Sequence, residues 1–383
     1  MHGWTNMHIL HVVGARPNFM KAAPILQALA RQERVRQTLI HTGQHYDFSM
    51  SDVFFQQLGM PAPDINLKVG SGSHAQQTSQ IIARFEAIVV EHKPDWVVVY
   101  GDVNSTVAAA IVCAKLLIPV AHVEAGLRSF DRTMPEEINR LLTDQISELL
   151  FTPSEDGNRN LRTEGVAPEK VHLVGNVMID TLVRLLPCAL ERLPKGIPER
   201  YALVTLHRPS NVDDVGWLKS LLDMLLEISH DFPVLFPVHP RTRGRIAEAG
   251  IELGNGSSSL QILDPAPYLE FLALQSRAAV VITDSGGIQE ETTFLGVPCL
   301  TVRENTERPI TVSMGTNILV GRDVACLQTE LKAVLAGKAK RGNIPPLWDG
   351  HAAERIAQVM IQPQSRFPGA PELGFTSVGA PSE

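Results

Sequence analysis

Cysteine is scarce in this chain of 383 residues. The four present, Cys113, Cys188, Cys299 and Cys326, are scattered and never form CxxC. Three lie in or beside apolar segments and read as buried thiols, which points to a reducing compartment and no zinc site. HxH, HExxH and paired His/Cys spacings are also missing, so no metal is expected. GxGxxG is absent, which disfavours a dinucleotide cofactor, and without GxSxG nothing suggests acyl transfer. Long hydrophobic runs are lacking too. The longest, "VAAAIVCAKLLIPVA", is interrupted by Lys115 and is too short to span a bilayer. The first residues, "MHGWTNMHIL", show no basic region followed by an apolar stretch, so no signal peptide is expected. Positive charge is in deficit at a net −7, against a nucleic-acid partner. The expectation is a cytoplasmic protein with no membrane partner, in which any anionic ligand is met by local basic groups.

What is present is a regular alternation. "MHILHVV", "WVVVY", "PVAHV", "ELLFT" and "VHLV" read as strands in the first half, and "YALVTL", "VLFPV", "LQIL", "AVVIT" and "PCLTV" in the second. They are nearly all apolar, as parallel strands covered on both faces are. Helix-period stretches such as "NSTVAAAIVCAKLL" and "YLEFLALQSR" lie between them. The fold class is therefore α/β, with two Rossmann-like doubly wound domains facing a cleft. Prolines and charges break the pattern near "LPCALERLPKGIPER", which divides the chain into domains at 1–185 and 186–349. The Pro-, Gly- and Ser-rich residues 363–383 read as a disordered tail.

In doubly wound sheets ligands bind at the carboxyl ends of the strands, and the chemistry-bearing residues of this sequence follow strands. "VVGARPNFMK" sets Arg16 before a helix and Lys21 one turn inside it, a fork and a mobile point charge for phosphate. The bland alternative is a solvated pair at a helix start. "YGDVNST" places Asp102 after a strand, where Asn104 or Ser105 can cap the next helix, leaving Asp102 surplus. "VAHVEAGLRS" ends a strand on Glu124, which needs a partner or a task at that depth; an ion pair with Arg128 is the structural alternative. In "TMPEEINR", Thr133 and Glu136 fit a capping box, and Glu136 can pair with Arg140 one turn on.

The second half repeats the theme with His207 and Arg208 in "TLHRPSN" and His239 in "FPVHPRTR". "DSGGIQEE" offers Ser285, Gly286 and Gly287 as a phosphate cradle at a helix start. Glu291, one turn further, can accept hydrogen bonds from a ribose diol. "RENTERP" adds Arg308. A phosphate cradle beside a diol acceptor suits a nucleoside diphosphate.

Taken in order, "GARPNFMK", "TGQHYD", "YGDVNST", "HVEAGLRS", "MPEEINR", "VGNVMID", "HPRTR", "DSGGIQEE" and "TERP" resemble the non-hydrolysing UDP-N-acetylglucosamine 2-epimerases, from about Met7 to the final helix. The resemblance implies the glycosyltransferase-B architecture, with a last helix at about 350–362 crossing back to the first domain. It implies reversible epimerisation at C2 of UDP-N-acetylglucosamine to UDP-N-acetylmannosamine without NAD or metal, in a protein that is commonly a homodimer. The alternatives are a 2-epimerase of a UDP-2,3-diacetamido-2,3-dideoxy-glucuronic acid, or a UDP-dependent glycosyltransferase. By the same resemblance, Asp102, Glu124 and Glu136 carry acid/base roles. Arg16, His207 and residues 285–287 hold the diphosphate, His207 counting among the catalytic groups. Lys21 and Arg140 position the sugar and its phosphate, with Arg308 also on the substrate. Glu291 takes the ribose and Phe271 lies near uracil. Gln44, His45, Arg208 and His239 match a second, regulatory nucleotide-sugar pocket. There Gln80 replaces an arginine, and "PSN" replaces a second arginine and a glutamate, so either that pocket is expected to be weak or absent or the true substrate differs from UDP-N-acetylglucosamine.

Overall fold

Residues 7–44, 55, 57–238, 240–248, 250 and 259–362 are described by a computed structural model. The apolar blocks form two parallel sheets. The first contains β1 (Met7–Val13), β2 (Val35–His41), β3 (Ile65–Asn66), β4 (Trp96–Tyr100), β5 (Val120–Val123), β6 (Leu149–Thr152) and β7 (Val171–Leu173), in the order β3-β2-β1-β4-β5-β6-β7. The second contains β8 (Ala202–Thr205), β9 (Val234–Pro237), β10 (Leu260–Leu263), β11 (Val280–Thr283), β12 (Cys299–Thr301) and β13 (Asn317–Leu319), in the order β10-β9-β8-β11-β12-β13. In each sheet the order reverses beside the first strand, between β1 and β4 and between β8 and β11. Those reversals open a crevice at the strands' carboxyl ends.

Trp96–Tyr100 and Val280–Thr283 are buried along their whole length, because helices cover both faces. Full burial of each Val or Leu side chain contributes about 1.5–3 kcal/mol. Of the four thiols, Cys113 and Cys299 are buried, whereas Cys326 is partly covered and Cys188 is exposed, so two rather than three are core residues; all four are free. No helix among the described residues is long and apolar enough to cross a membrane.

The expected boundary at 185/186 falls inside the helix Val177–Leu190, and the chain reaches the second sheet only after it. Pro187 does not break that helix; Leu182, Leu185 and Ala189 are buried in the first domain's core. Leu269, Leu272 and Ala273 of the helix Tyr268–Arg277 join the same cluster, so the domain interface is apolar. The last helix, Ala352–Ile361, packs on the helices Arg16–Ala30 and Val177–Leu190. Asp180 anchors its start by accepting from Ala352 N at 3.1 Å and Ala353 N at 2.7 Å. The expected tail at 363–383 lies outside the described residues.

Candidate active site

The two sheets point their carboxyl ends at a shared cleft of about 1150 Å³. Glu124 lies at its floor, directly after β5 and 6% exposed. Its φ of +72° is left-handed, a conformation that costs a non-glycine residue about 1–3 kcal/mol and recurs at functional sites. That turn aims the carboxylate at two cations. Lys21 Nζ, from the buried face of the helix Arg16–Ala30, donates to Oε2, and Arg308 Nη2 donates to Oε1 at 3.2 Å. Burial works against the Glu124 charge, but Lys21 and Arg308 outweigh it and hold the carboxyl below its ordinary range. Gly101 makes room for this pair. A Cβ there would lie 2.7 Å from Lys21 Nζ and 3.1 Å from Glu124 Oε2.

The alternative Glu124–Arg128 pair does not form. Arg128 turns beneath the site to Asp144 and Glu164, each at 2.7 Å. A buried Glu124 takes the cations that packing brings to it rather than a neighbour four residues along.

Arg308 connects three carboxylates. Besides Glu124, its Nε lies 3.0 Å from Glu290 Oε2 and its Nη1 donates to Glu307 Oε1 at 2.5 Å. Glu307 also pairs with Arg303 at 2.7 Å, and the two arginines hold it ionised despite burial. Glu290 is 1% exposed, and burial pushes its carboxyl up to about 7, with Arg308 opposing and Glu124 reinforcing the shift. None of these three partners, Glu290, Arg303 and Glu307, has a role assigned from the sequence. The signal was present, since Glu290 stands in "GGIQEE" and the other two flank "ENT" in the loop after β12.

Asp102, after β4, is ion-paired with Arg140 Nη1. The helix Pro135–Ile146 carries that arginine, and Pro135 occupies its first turn. The expected Thr133–Glu136 capping box is not made: Met134 is the N-cap residue and Thr133 Oγ1 donates instead to Asp131 Oδ1 at 2.6 Å. Arg140 pairs with Glu137 at 2.6 Å rather than with Glu136. Glu137 is the buried member of the pair and also accepts from Ser129 N and Phe130 N. Glu136 is thereby left on the cleft wall, along with Asp102 and Arg16.

From the second domain, His207 follows β8. Its Nδ1 lies 3.1 Å from Asp284 Oδ1, and Asp284 also accepts from Arg208 N at 2.9 Å and Asn211 Nδ2 at 3.1 Å. A buried carboxylate thus orients an imidazole that is half in solvent. Ser285 stands at the N-cap position of the helix Gly286–Leu295 without a side-chain cap hydrogen bond, and this helix start, with its free N–H groups, lines the cleft. At Gly286 a Cβ would lie 2.4 Å from Arg308 Nη1, so glycine lets the arginine approach the helix start. One turn along, Glu291 accepts from Tyr268 Oη at 2.9 Å and Gln275 Nε2 at 3.1 Å, and burial pushes it up to about 7. Phe271 lines the same wall.

Of the regulatory set, Arg208 lines the cleft. Gln44 lies beside the first sheet, where its Oε1 accepts from Ser105 Oγ at 2.8 Å. Gln80 is exposed and accepts from Arg84. His45 and His239 lie outside the described residues. No group of three or more His, Cys, Asp or Glu among the described residues is placed to hold a metal ion.

Residues 27–361 match the model of the family UDP-N-acetylglucosamine 2-epimerase. The crystal structure of the Methanocaldococcus jannaschii UDP-GlcNAc 2-epimerase in complex with UDP-GlcNAc and UDP superposes with a TM-score of 0.84. It is 42% identical and covers 92% of this chain and 99% of its own. That of the Neisseria meningitidis UDP-GlcNAc 2-epimerase bound to UDP-GlcNAc is 30% identical, also with a TM-score of 0.84, covering 93% and 100%. The UDP-2,3-diacetamido-2,3-dideoxy-D-glucuronate 2-epimerase of Pseudomonas aeruginosa is 42% identical over 361 residues, 93% of this chain and 100% of that protein. Two parallel α/β sheets across a cleft form the glycosyltransferase-B architecture of these structures. With a family match over most of its length and relatives this similar end to end, the chain belongs to the UDP-N-acetylglucosamine 2-epimerase family.

Proposed function

We propose that the protein interconverts UDP-N-acetylglucosamine and UDP-N-acetylmannosamine by eliminating UDP across C1–C2 and adding it back. C2 of such a sugar carries hydrogen but has no adjacent carbonyl, so direct proton abstraction is too slow. In the elimination a carboxylate takes the C2 proton, the C–H electrons form the C1=C2 bond, and the C1–O bond breaks towards UDP. Re-addition with a proton delivered to the other face gives the epimer. No net oxidation occurs, so no hydride acceptor is required.

The observation that carries this reading is the strained Glu124, held ionised by Lys21 and Arg308 opposite the Ser285–Gly287 helix start. An ionised carboxylate suits proton removal. Positive charge and helix N–H groups suit the departing diphosphate. Asp102 and Glu136 supply further proton-handling groups on the same wall, and His207, oriented by Asp284, assists the diphosphate. Arg16 joins the phosphate site, Lys21 and Arg140 position the sugar, and Glu291 and Phe271 take ribose and uracil.

A second substrate, a UDP-2,3-diacetamido-2,3-dideoxy-glucuronic acid, is favoured by one observation: a 2-epimerase of that sugar is as similar to this chain, at 42%, as the UDP-GlcNAc enzyme. The family resemblance also supports a cytoplasmic homodimer that supplies polysaccharide synthesis, with the two sheets as its two domains. The deciding experiment is NMR of each UDP-sugar with the protein in deuterated water. The expected result is equilibration with the 2-epimer and solvent deuterium at C2 of UDP-N-acetylglucosamine. Retention of the original C2 hydrogen in the product would rule the elimination out, and turnover of the uronic acid alone would change the substrate.

A further inference from the structure

Beneath the cleft lies a charged cluster that none of the roles above uses. His122, on β5, is fully buried, with Nδ1 2.6 Å from Asp144 Oδ1 and Nε2 2.8 Å from the Gly101 carbonyl oxygen. A carbonyl only accepts, so Nε2 carries a proton and donates it. The second oxygen of Asp144 accepts from Gly126 N at 3.1 Å and pairs with Arg128 Nη2 at 2.7 Å. Burial works against the charge of Asp144, but His122 and Arg128 outweigh it.

Two of these contacts, to the Gly101 carbonyl and from Gly126 N, end on backbone beside a reacting group. Gly101 directly precedes Asp102. Gly126 closes the strained turn begun by Glu124. The helix bearing Asp144 also sends Asn139 Nδ2 to the Asp102 carbonyl at 2.8 Å and Arg140 to the Asp102 carboxylate. Burying an imidazole, a carboxylate and a guanidinium costs more than filling the same space with apolar side chains, so stability alone does not explain the cluster. We infer that His122 and Asp144 are positioning residues that tie the turns carrying Asp102 and Glu124 to one another. The inference rests on the carboxylate roles proposed above. The hydrogen bond to Gly101 sets the first turn, the one from Gly126 sets the second, and one rigid pair holds both ends.

The test compares two substitutions of one residue. Asn at 122 keeps a donor for Asp144 but releases Gly101, whereas Gln reaches Gly101 and gives up Asp144. His122→Asn is expected to lower kcat about a hundredfold, the effect of a displacement near 1 Å at the reacting groups. His122→Gln retains the Gly101 bond and stays within about tenfold of wild type by the same reasoning. UDP affinity holds in both, because the phosphate cradle is on the other domain. Wild-type kcat in a folded His122→Asn protein overturns the inference, as does an equal loss in both variants with UDP affinity falling in parallel. If His122→Asn does not fold, the isosteric Asp144→Asn takes its place, with kcat lowered and UDP affinity kept; wild-type kcat there overturns the inference equally. Unimpaired variants of an active enzyme remove this inference alone, whereas a wild-type protein that turns over neither UDP-sugar removes the function reading and this inference with it.

Discussion

Arg308 Nη2 of the second domain lies 3.2 Å from Glu124 Oε1 of the first, 184 residues away in sequence. The cation that suits the departing diphosphate thus touches the carboxylate that suits C2. In the elimination we propose, charge leaving the sugar and charge taking its proton are managed by one buried contact.

Replacing Glu124 by the nearly isosteric Gln removes the proton acceptor and leaves Lys21 and Arg308 without their shared anion. Turnover of the UDP-sugar should fall about a hundred- to ten-thousand-fold, the usual range for one acid/base group. UDP binding measured by calorimetry should persist, since the helix start at Ser285 is untouched. Unimpaired turnover would return Glu124 to a structural ion pair.

Gly286→Ala places a methyl group 2.4 Å from Arg308 Nη1 and 2.7 Å from Glu307 Oε1. The backbone conformation itself admits alanine, so the fold should survive. Arg308 must move off the helix start, and KM for the UDP-sugar should rise roughly tenfold, the loss of about one charge-assisted hydrogen bond. Steady-state kinetics beside a thermal melt separate this from unfolding; an unchanged KM would mean that Arg308 does not serve the substrate.

Glu291 ties stability to pH. Its ordinary value of 4.5 is raised by burial to about 7 in the folded protein. Between those values the folded state holds more protons than the unfolded one, so stability falls as pH rises through the window and levels off above 7. The share of this one group is on the order of 3 kcal/mol. Glu291→Gln removes it, so the variant should gain on wild type as pH goes from 5 to 8. Parallel Tm–pH curves for the two proteins would contradict the assignment.

Regulation by a second nucleotide-sugar should be weak. Gln80 is exposed and occupied with Arg84, while Asn211 of "PSN" is buried and donates to Asp284 and to the Val302 carbonyl. Neither supplies the charge of an arginine, and ionic hydrogen bonds are roughly twice as strong as neutral ones. Reaction started from pure UDP-N-acetylmannosamine should therefore proceed without a lag. A long lag abolished by a trace of UDP-N-acetylglucosamine would show an intact regulatory pocket.

The sequence by itself determined the layered α/β plan and where to look for chemistry. Strands such as Trp96–Tyr100 and Val280–Thr283 are unbroken apolar runs because both sheet faces are covered, and polar residues just beyond them stand at strand ends by construction. The same signal fails for β2, whose Arg36 and Gln37 interrupt the apolar pattern, and for β3, which at two residues is too short to show one. Most partners of the charged groups were decided by tertiary structure, the Glu137–Arg140 pair within one helix being the local case. Glu124 had Arg128 four residues away and Glu136 had Arg140, yet Glu124 pairs with Lys21 and Arg308, and Arg140 with Glu137 and Asp102. Glu124, Arg128 and Arg140 are all buried, and a charge removed from water must take whichever counter-charge the packed domains bring within reach, not the nearest one in sequence. Local spacing cannot show that reach. Only the meeting of two sheets across a cleft sets it.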